Sequence, residues 1–146
     1  LEAFSIMSGL GFTADIASFS EETVGKLKKM IDFWKETRPF AEKATLVSLT
    51  PKRPHFDRKS DVVWQLNGEN RFLIAALHME NGCHGLKVVP KNIDENAEYR
   101  VEYVGAFRTN GFDKGYNISG KELAENGILF AFPDSLTGRL AEITKL

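Results

Sequence analysis

"DVVWQLNGENRFLIAALHM" (Asp61–Met79) decides the class of this chain. Asn67–Gly68 is the strongest short-range signal for a hairpin, and runs rich in β-branched, aromatic and other apolar residues lie on both sides of it. The stretch reads as two antiparallel strands around a tight turn.

The same pattern continues outward. "LKVVP" (86–90), "EYRVEYVGAF" (98–107), "GILFAF" (127–132) and "LAEITKL" (140–146) read as further strands. The turn-rich segments "KNIDENA" (91–97) and "PDSLTG" (133–138) separate them. Upstream, "TLVSLT" (45–50) is a short strand, followed by a loop over 50–61 that Pro51 and Pro54 mark. Seven or so strands in about 100 residues is the spacing of an antiparallel β-sandwich or barrel. No internal repeat or low-complexity segment interrupts it.

Before the strands the period changes to that of a helix. In "SFSEETVGKLKKMIDFWKETRPF" (18–40), Ser18 and Glu21 fit a capping box, and Glu22 adds negative charge to the first turn. Val24, Leu27, Ile31 and Trp34 recur at helical spacing, with Met30 and Phe33 widening the stripe. Gly25 weakens the first turn by up to ~1 kcal/mol. Pro39 disfavours helical geometry at Arg38, so the helix is expected to stop there. An amphipathic helix of this kind needs a partner surface.

Composition narrows the function classes. The chain has 146 residues, 42% hydrophobic and 27% charged, with a net charge of −1. That length suits one domain, or one domain with a structured extension. The neutral balance gives no global electrostatic case for nucleic acid or an anionic membrane. No apolar run approaches the ~18 residues that cross a bilayer. Cys83 is the only cysteine, which excludes an internal disulfide and a cysteine-based zinc site and tilts toward a reducing, cytoplasmic compartment. The opening "LEAFSIMSGLGF" lacks a starting methionine and looks cut from a longer chain, so the absence of a leader says little about location.

Several stretches suggest chemistry. "GYNISGKE" (115–122) comes within one letter of the phosphate-cradling loop, but Glu122 stands where a hydroxyl must ligate magnesium. The helix after it is too short and no buried strand precedes it. The better frame is "NISGKELAENGIL" (117–129), in which Ser119 and Glu122 cap one short helix and Gly127 ends it. "HMENGCH" gathers His78, Cys83 and His84 without a fourth ligand or a zinc spacing, and reads as a hairpin turn with incidental histidines. Lys52, Arg53, Arg58 and Lys59, beside His55 and Phe56, form a basic loop that reads as solvated, with an acidic protein partner as the rival. Asp15, Asp94 and Glu95 make no carboxylate pair of the kind a glycosidase needs. No catalytic residue, metal ligand or cofactor-binding residue is legible. Phe112 and Tyr116, in the aromatic-polar loop "FRTNGFDKGY" (107–116), are the candidates for stacking on a sugar, as in carbohydrate-binding sandwiches, against the favoured reading that both rings pack the loop back onto the sheet.

The N-terminal stretch resembles the end of the catalytic barrel in glycoside hydrolase family 36, the α-galactosidase family. There, "A-x-x-G-x-L-G-x-E-x-D-L" precedes "L-S-x-E-E-x-x-x-L-x-x-x-I-x-x-Y-K-x-x-R". This chain answers with Gly9, Leu10, Gly11, Asp15 and Ile16, then Phe19, Ser20, Glu21, Glu22, Ile31, Phe33, Trp34, Lys35 and Arg38. The tail is similar to that family's C-terminal sandwich, with Tyr99, Val101, Ser119, Gly120, Glu122, Leu123 and Gly127 in register. Ala14, Trp34 and Ala124 depart from the family's usual Glu, Tyr and Met.

The resemblance implies a mainly β protein: an antiparallel sandwich of seven to eight strands over 44–146, preceded over 1–43 by the last strand and helix of a (β/α)8 barrel. It implies a parent enzyme that hydrolyses terminal α-galactosides with retention, through carboxylates upstream of Leu1. The role left to this stretch is structural. Its expected partner is the catalytic barrel of its own chain, with carbohydrate reached through that parent and assembly into a homo-oligomer compatible with it. No cofactor, nucleic acid or membrane is implied. The rival is a self-standing carbohydrate-binding or protein-interaction sandwich.

Overall fold

The computed structural model of the chain describes residues 15–50, 61–79, 82, 84–104, 114–133 and 137–146. After a 3-10 turn at Ile16–Ser18 comes a long helix, α1 (Glu21–Ala41). Its cap is Ser20, whose Oγ accepts the Thr23 N–H at 3.3 Å. The expected cap, Ser18, is engaged elsewhere, its hydroxyl donating to the Asp15 carbonyl at 2.7 Å. Nor does α1 stop before Pro39. It runs on to Ala41, because Phe40 and Ala41 pack against the sheet below and Glu42 N–H closes onto the Arg38 carbonyl at 2.9 Å.

Eight strands follow among the described residues: β1 (Thr45–Ser48), β2 (Val62–Asn67), β3 (Arg71–His78), β4 (His84–Val88), β5 (Glu98–Val104), β6 (Tyr116–Ser119), β7 (Ile128–Phe132) and β8 (Thr137–Lys145). A short helix, α2 (Gly120–Asn126), joins β6 to β7. Six strands form one antiparallel sheet in the order β1-β2-β3-β8-β5-β6, and β4 pairs with β7 in a second. The architecture is the expected antiparallel sandwich preceded by a helix.

The β2–β3 hairpin forms where Asn67–Gly68 places it, with Asn67 opposite Phe72. The glycine is needed for a different reason than a left-handed turn, since positive φ occurs only at Asn92, Gly82 and Gly127 among the described residues. A Cβ on Gly68 would lie 2.6 Å from the Phe40 ring, so the end of α1 rests on the hairpin tip. The stretch "HMENGCH" does not make a hairpin. β3 and β4 belong to different sheets, so the segment between them is a crossing from one layer to the other.

Alternation along the strands builds two apolar layers. Val63, Phe72, Ile74, Val101, Ala141 and Ile143 meet Val88, Ile128, Phe130 and Phe132 between the sheets, with Leu123 of α2 joining them. On the outer face of the large sheet, Leu66, Leu73, Ala75 and Leu140 receive Phe33, Phe40 and Ala41 of α1. Central strands β3 and β8 therefore bury side chains on both faces.

Candidate functional site

A buried polar pair joins the two open ends of the β2–β3 hairpin. The antiparallel register sets Val62 opposite Leu77, which brings Asp61 beside His78. Asp61 Oδ1 and His78 Nδ1 are 2.7 Å apart, and His78 Nε2 lies 3.2 Å from the Gly82 carbonyl. A carbonyl only accepts, so Nε2 donates. The imidazole stacks on Phe132, with ring centroids 5.2 Å apart and planes at 18°. At 1% exposure and with both nitrogens engaged, His78 has no open side from which to exchange a proton with a substrate. It is thus not an incidental turn histidine, because the pair pins the chain entering β2 and the crossing after β3 to the body of the sandwich. The Cys83 position and the His84 side chain lie outside the described residues.

Of the two candidates for sugar stacking, Phe112 lies outside the described residues. Tyr116 opens β6, opposite Val101, and is 38% exposed at the sheet edge. Its hydroxyl is bonded to Tyr103, which in turn donates to the Leu129 carbonyl of β7 at 2.5 Å. Burial pushes the Tyr103 hydroxyl well above the ordinary tyrosine range, reinforced by the charge that Tyr116 would carry. Burial likewise raises Tyr116. The structure therefore brings Tyr116 together with Tyr103 in a link between sheets, an assignment with no sequence signal because the two lie on different strands.

The acids stay apart. Asp15 turns back to accept the Ala17 N–H at 3.1 Å. Asp94 receives Lys145 Nζ at 2.7 Å and the Asn96 N–H at 3.0 Å, while its own N–H donates to the Tyr99 hydroxyl at 2.9 Å. These contacts fix the loop before β5. Gln65, fully buried in β2, fixes the same loop from the other side by bonding both the N–H and the carbonyl of Lys91, at 2.9 and 2.7 Å. The basic residues Lys52, Arg53, Arg58 and Lys59 lie outside the described residues. One open groove of about 260 Å³ separates the Ser48–Thr50 stretch from β4, with Val63, Leu86 and Val88 among its walls.

No protein-family model matches the chain, and no curated protein matches it. Solved structures do. The family 36 α-galactosidase AgaA of Geobacillus stearothermophilus covers 99% of this chain at a TM-score of 0.76 and 16% identity. The α-galactosidase of Lactobacillus brevis covers 99% at a TM-score of 0.73 and 15% identity. An α-amylase of Geobacillus thermoleovorans is similar more loosely, over 92% at a TM-score of 0.52 and 17% identity, and the match spans 24% of that enzyme. This chain spans 19% of the length of the two α-galactosidases. What it shares with them is a fold, that of their C-terminal region.

Proposed function

We propose that this chain is the accessory C-terminal part of an α-galactosidase-like glycoside hydrolase, with a structural role and no catalytic residue of its own. Residues 1–43 would complete the catalytic barrel and residues 44–146 would form the sandwich beside it. The observation that carries this reading is the end-to-end likeness: helix and sandwich together match 99% of this chain against a fifth of an α-galactosidase. The helix supports it. Val24, Leu27, Ile31 and Trp34 are only half-buried and stand outside both core layers, which leaves an apolar stripe for the rest of a longer protein.

Retaining hydrolysis of an α-galactoside needs two carboxyl groups about 5–5.5 Å apart across the scissile bond. Among the described residues the hydrogen-bonded carboxylates are held by lysine, arginine, histidine or backbone partners within the fold. The purified 146-residue chain is therefore expected to leave a chromogenic α-galactoside at the rate of a buffer control. Turnover above that control would overturn the proposal.

A further inference from the structure

Among the described residues β4 and β7 pair only with each other, and the fold treats the two outer edges of that sheet differently. On β7, the Leu129 carbonyl accepts from the Tyr103 hydroxyl at 2.5 Å and the Ala131 carbonyl from Arg139 Nε at 3.3 Å. Both side chains rise from the large sheet and occupy the acceptors that an added strand would use. Residues alternate between the two edges of an antiparallel strand, so Ile128, Phe130 and Phe132 are the ones that bond β4. Their partners are Val88, Leu86 and His84, which turns the backbone groups of Gly85, Lys87 and Val89 toward the free edge. The Val88 carbonyl, crowding the Cβ position of Gly127, agrees with that alternation. Gly85, Lys87 and Val89 are exposed, and among the described residues none of their backbone groups bonds to another element.

Beside this edge runs the groove of about 260 Å³, lined by Leu49, Val63, Leu86 and Val88; among the described residues that line it, Lys87 and Lys91 are the charged members and none is an acid. We propose that the free edge of β4 is a strand-addition site for an extended acidic segment. Alternate side chains of that segment would lie apolar in the groove and carboxylate beside Lys87. A second copy of this chain is the wrong occupant. Antiparallel pairing of two β4 edges about Lys87 would set like charges directly opposite, which is destabilising. The same lysine thus guards against self-association and selects an acidic strand. This inference stands apart from the α-galactosidase reading.

The test titrates the full isotope-labelled chain with an acetylated, amidated hexapeptide of alternating valine and glutamate. Shifts and slowed hydrogen exchange are expected at the Gly85, Lys87 and Val89 amides. A valine–lysine hexapeptide should bind about five- to tenfold more weakly. Lys87→Glu, a change at an exposed position, should reverse that order. Three results would overturn the proposal: no response at these amides up to millimolar peptide, a response elsewhere only, or a preference that Lys87→Glu leaves unchanged.

Discussion

Gly120 has no side chain because the Asp94 carbonyl stands where one would be, and its N–H donates to the Ala97 carbonyl at 2.7 Å. The glycine of "NISGKE" thus seats the loop before β5 against the start of α2, while Ser119 caps that helix through the Glu122 N–H at 3.2 Å. Gly120→Ala should lower the unfolding free energy by about 1–3 kcal/mol, since backbone has to move. Gly25→Ala, with nothing within 4 Å of the new methyl, should raise it by about 0.5–1 kcal/mol. Urea unfolding of the two variants separates these signs. The same loop contributes to the acid limb of stability. Lys145, and then the Asn96 N–H, hold Asp94 below its ordinary value of 3.8. A carboxyl lowered on folding contributes stability above its unfolded value and loses it as pH falls through the folded one. Asp94→Asn should therefore flatten the fall in urea midpoint below about pH 4. Tyr103 gives the opposite limb, because burial raises it above its ordinary 10.0. Its contribution is complete below about pH 10 and declines above it, where the unfolded chain ionises first. Tyr103→Phe should remove part of that alkaline decline, leaving the parts due to Tyr116 and to Lys145, which Asp94 holds above its ordinary range.

At the scale of elements, α1 carries two apolar stripes. Phe33 and Phe40 pack on the sheet, with Met30 and Thr37 buried in the same helical row, whereas Val24, Leu27, Ile31 and Trp34 lie one residue on, about 100° around the helix. Periodicity reveals both rows and cannot say which one the sheet takes, because that depends on a hairpin tip some 30 residues later. Phe40 bridges this gap, covering Gly68 and lying 4.6 Å below the Arg71 guanidinium. Phe40→Ala should cost about 2 kcal/mol of stability in the isolated chain. Trp34→Ala, which loses mainly its stacking with Arg38 at 5.3 Å, should cost under about 1 kcal/mol there. If the outer stripe docks on a barrel, Trp34→Ala should lower the solubility or activity of the longer protein while the isolated chain keeps its urea midpoint. Equal losses in both settings would argue against that docking. Strands with apolar runs and flanking turns were legible, as were the hairpin and α2. β6 was not, because "YNIS" has too few apolar residues to signal a strand and is one only by pairing with β5. Asp61–His78 and Gln65 were equally silent, since their meaning lies in partners from other segments.

The whole molecule is closed by its last strand. β8 pairs with β3 on one side and β5 on the other, so β1-β2-β3 and β5-β6 share a sheet only through it. Strand order of this kind leaves no local mark in a sequence. Its energetic trace is an ion pair such as Arg71–Glu142, 2.7 Å long between residues 71 apart. Pairing at that separation carries loop-closure entropy before it gains contacts, so folding should fall in the millisecond-to-second range of non-local β topologies. Because residues 137–146 also supply Leu140 to the layer under α1 and Ile143 to the layer between the sheets, their removal takes apart both cores at once. A chain ending at Leu136 should show helical circular dichroism at most and no cooperative heat absorption. Ile143→Ala, at a position with 0% exposure, should keep a single transition but lose about 2–5 kcal/mol. A sharp calorimetric transition in the truncated chain would mean that one half of the sheet folds without β8, and that the sandwich is two cooperative units rather than one.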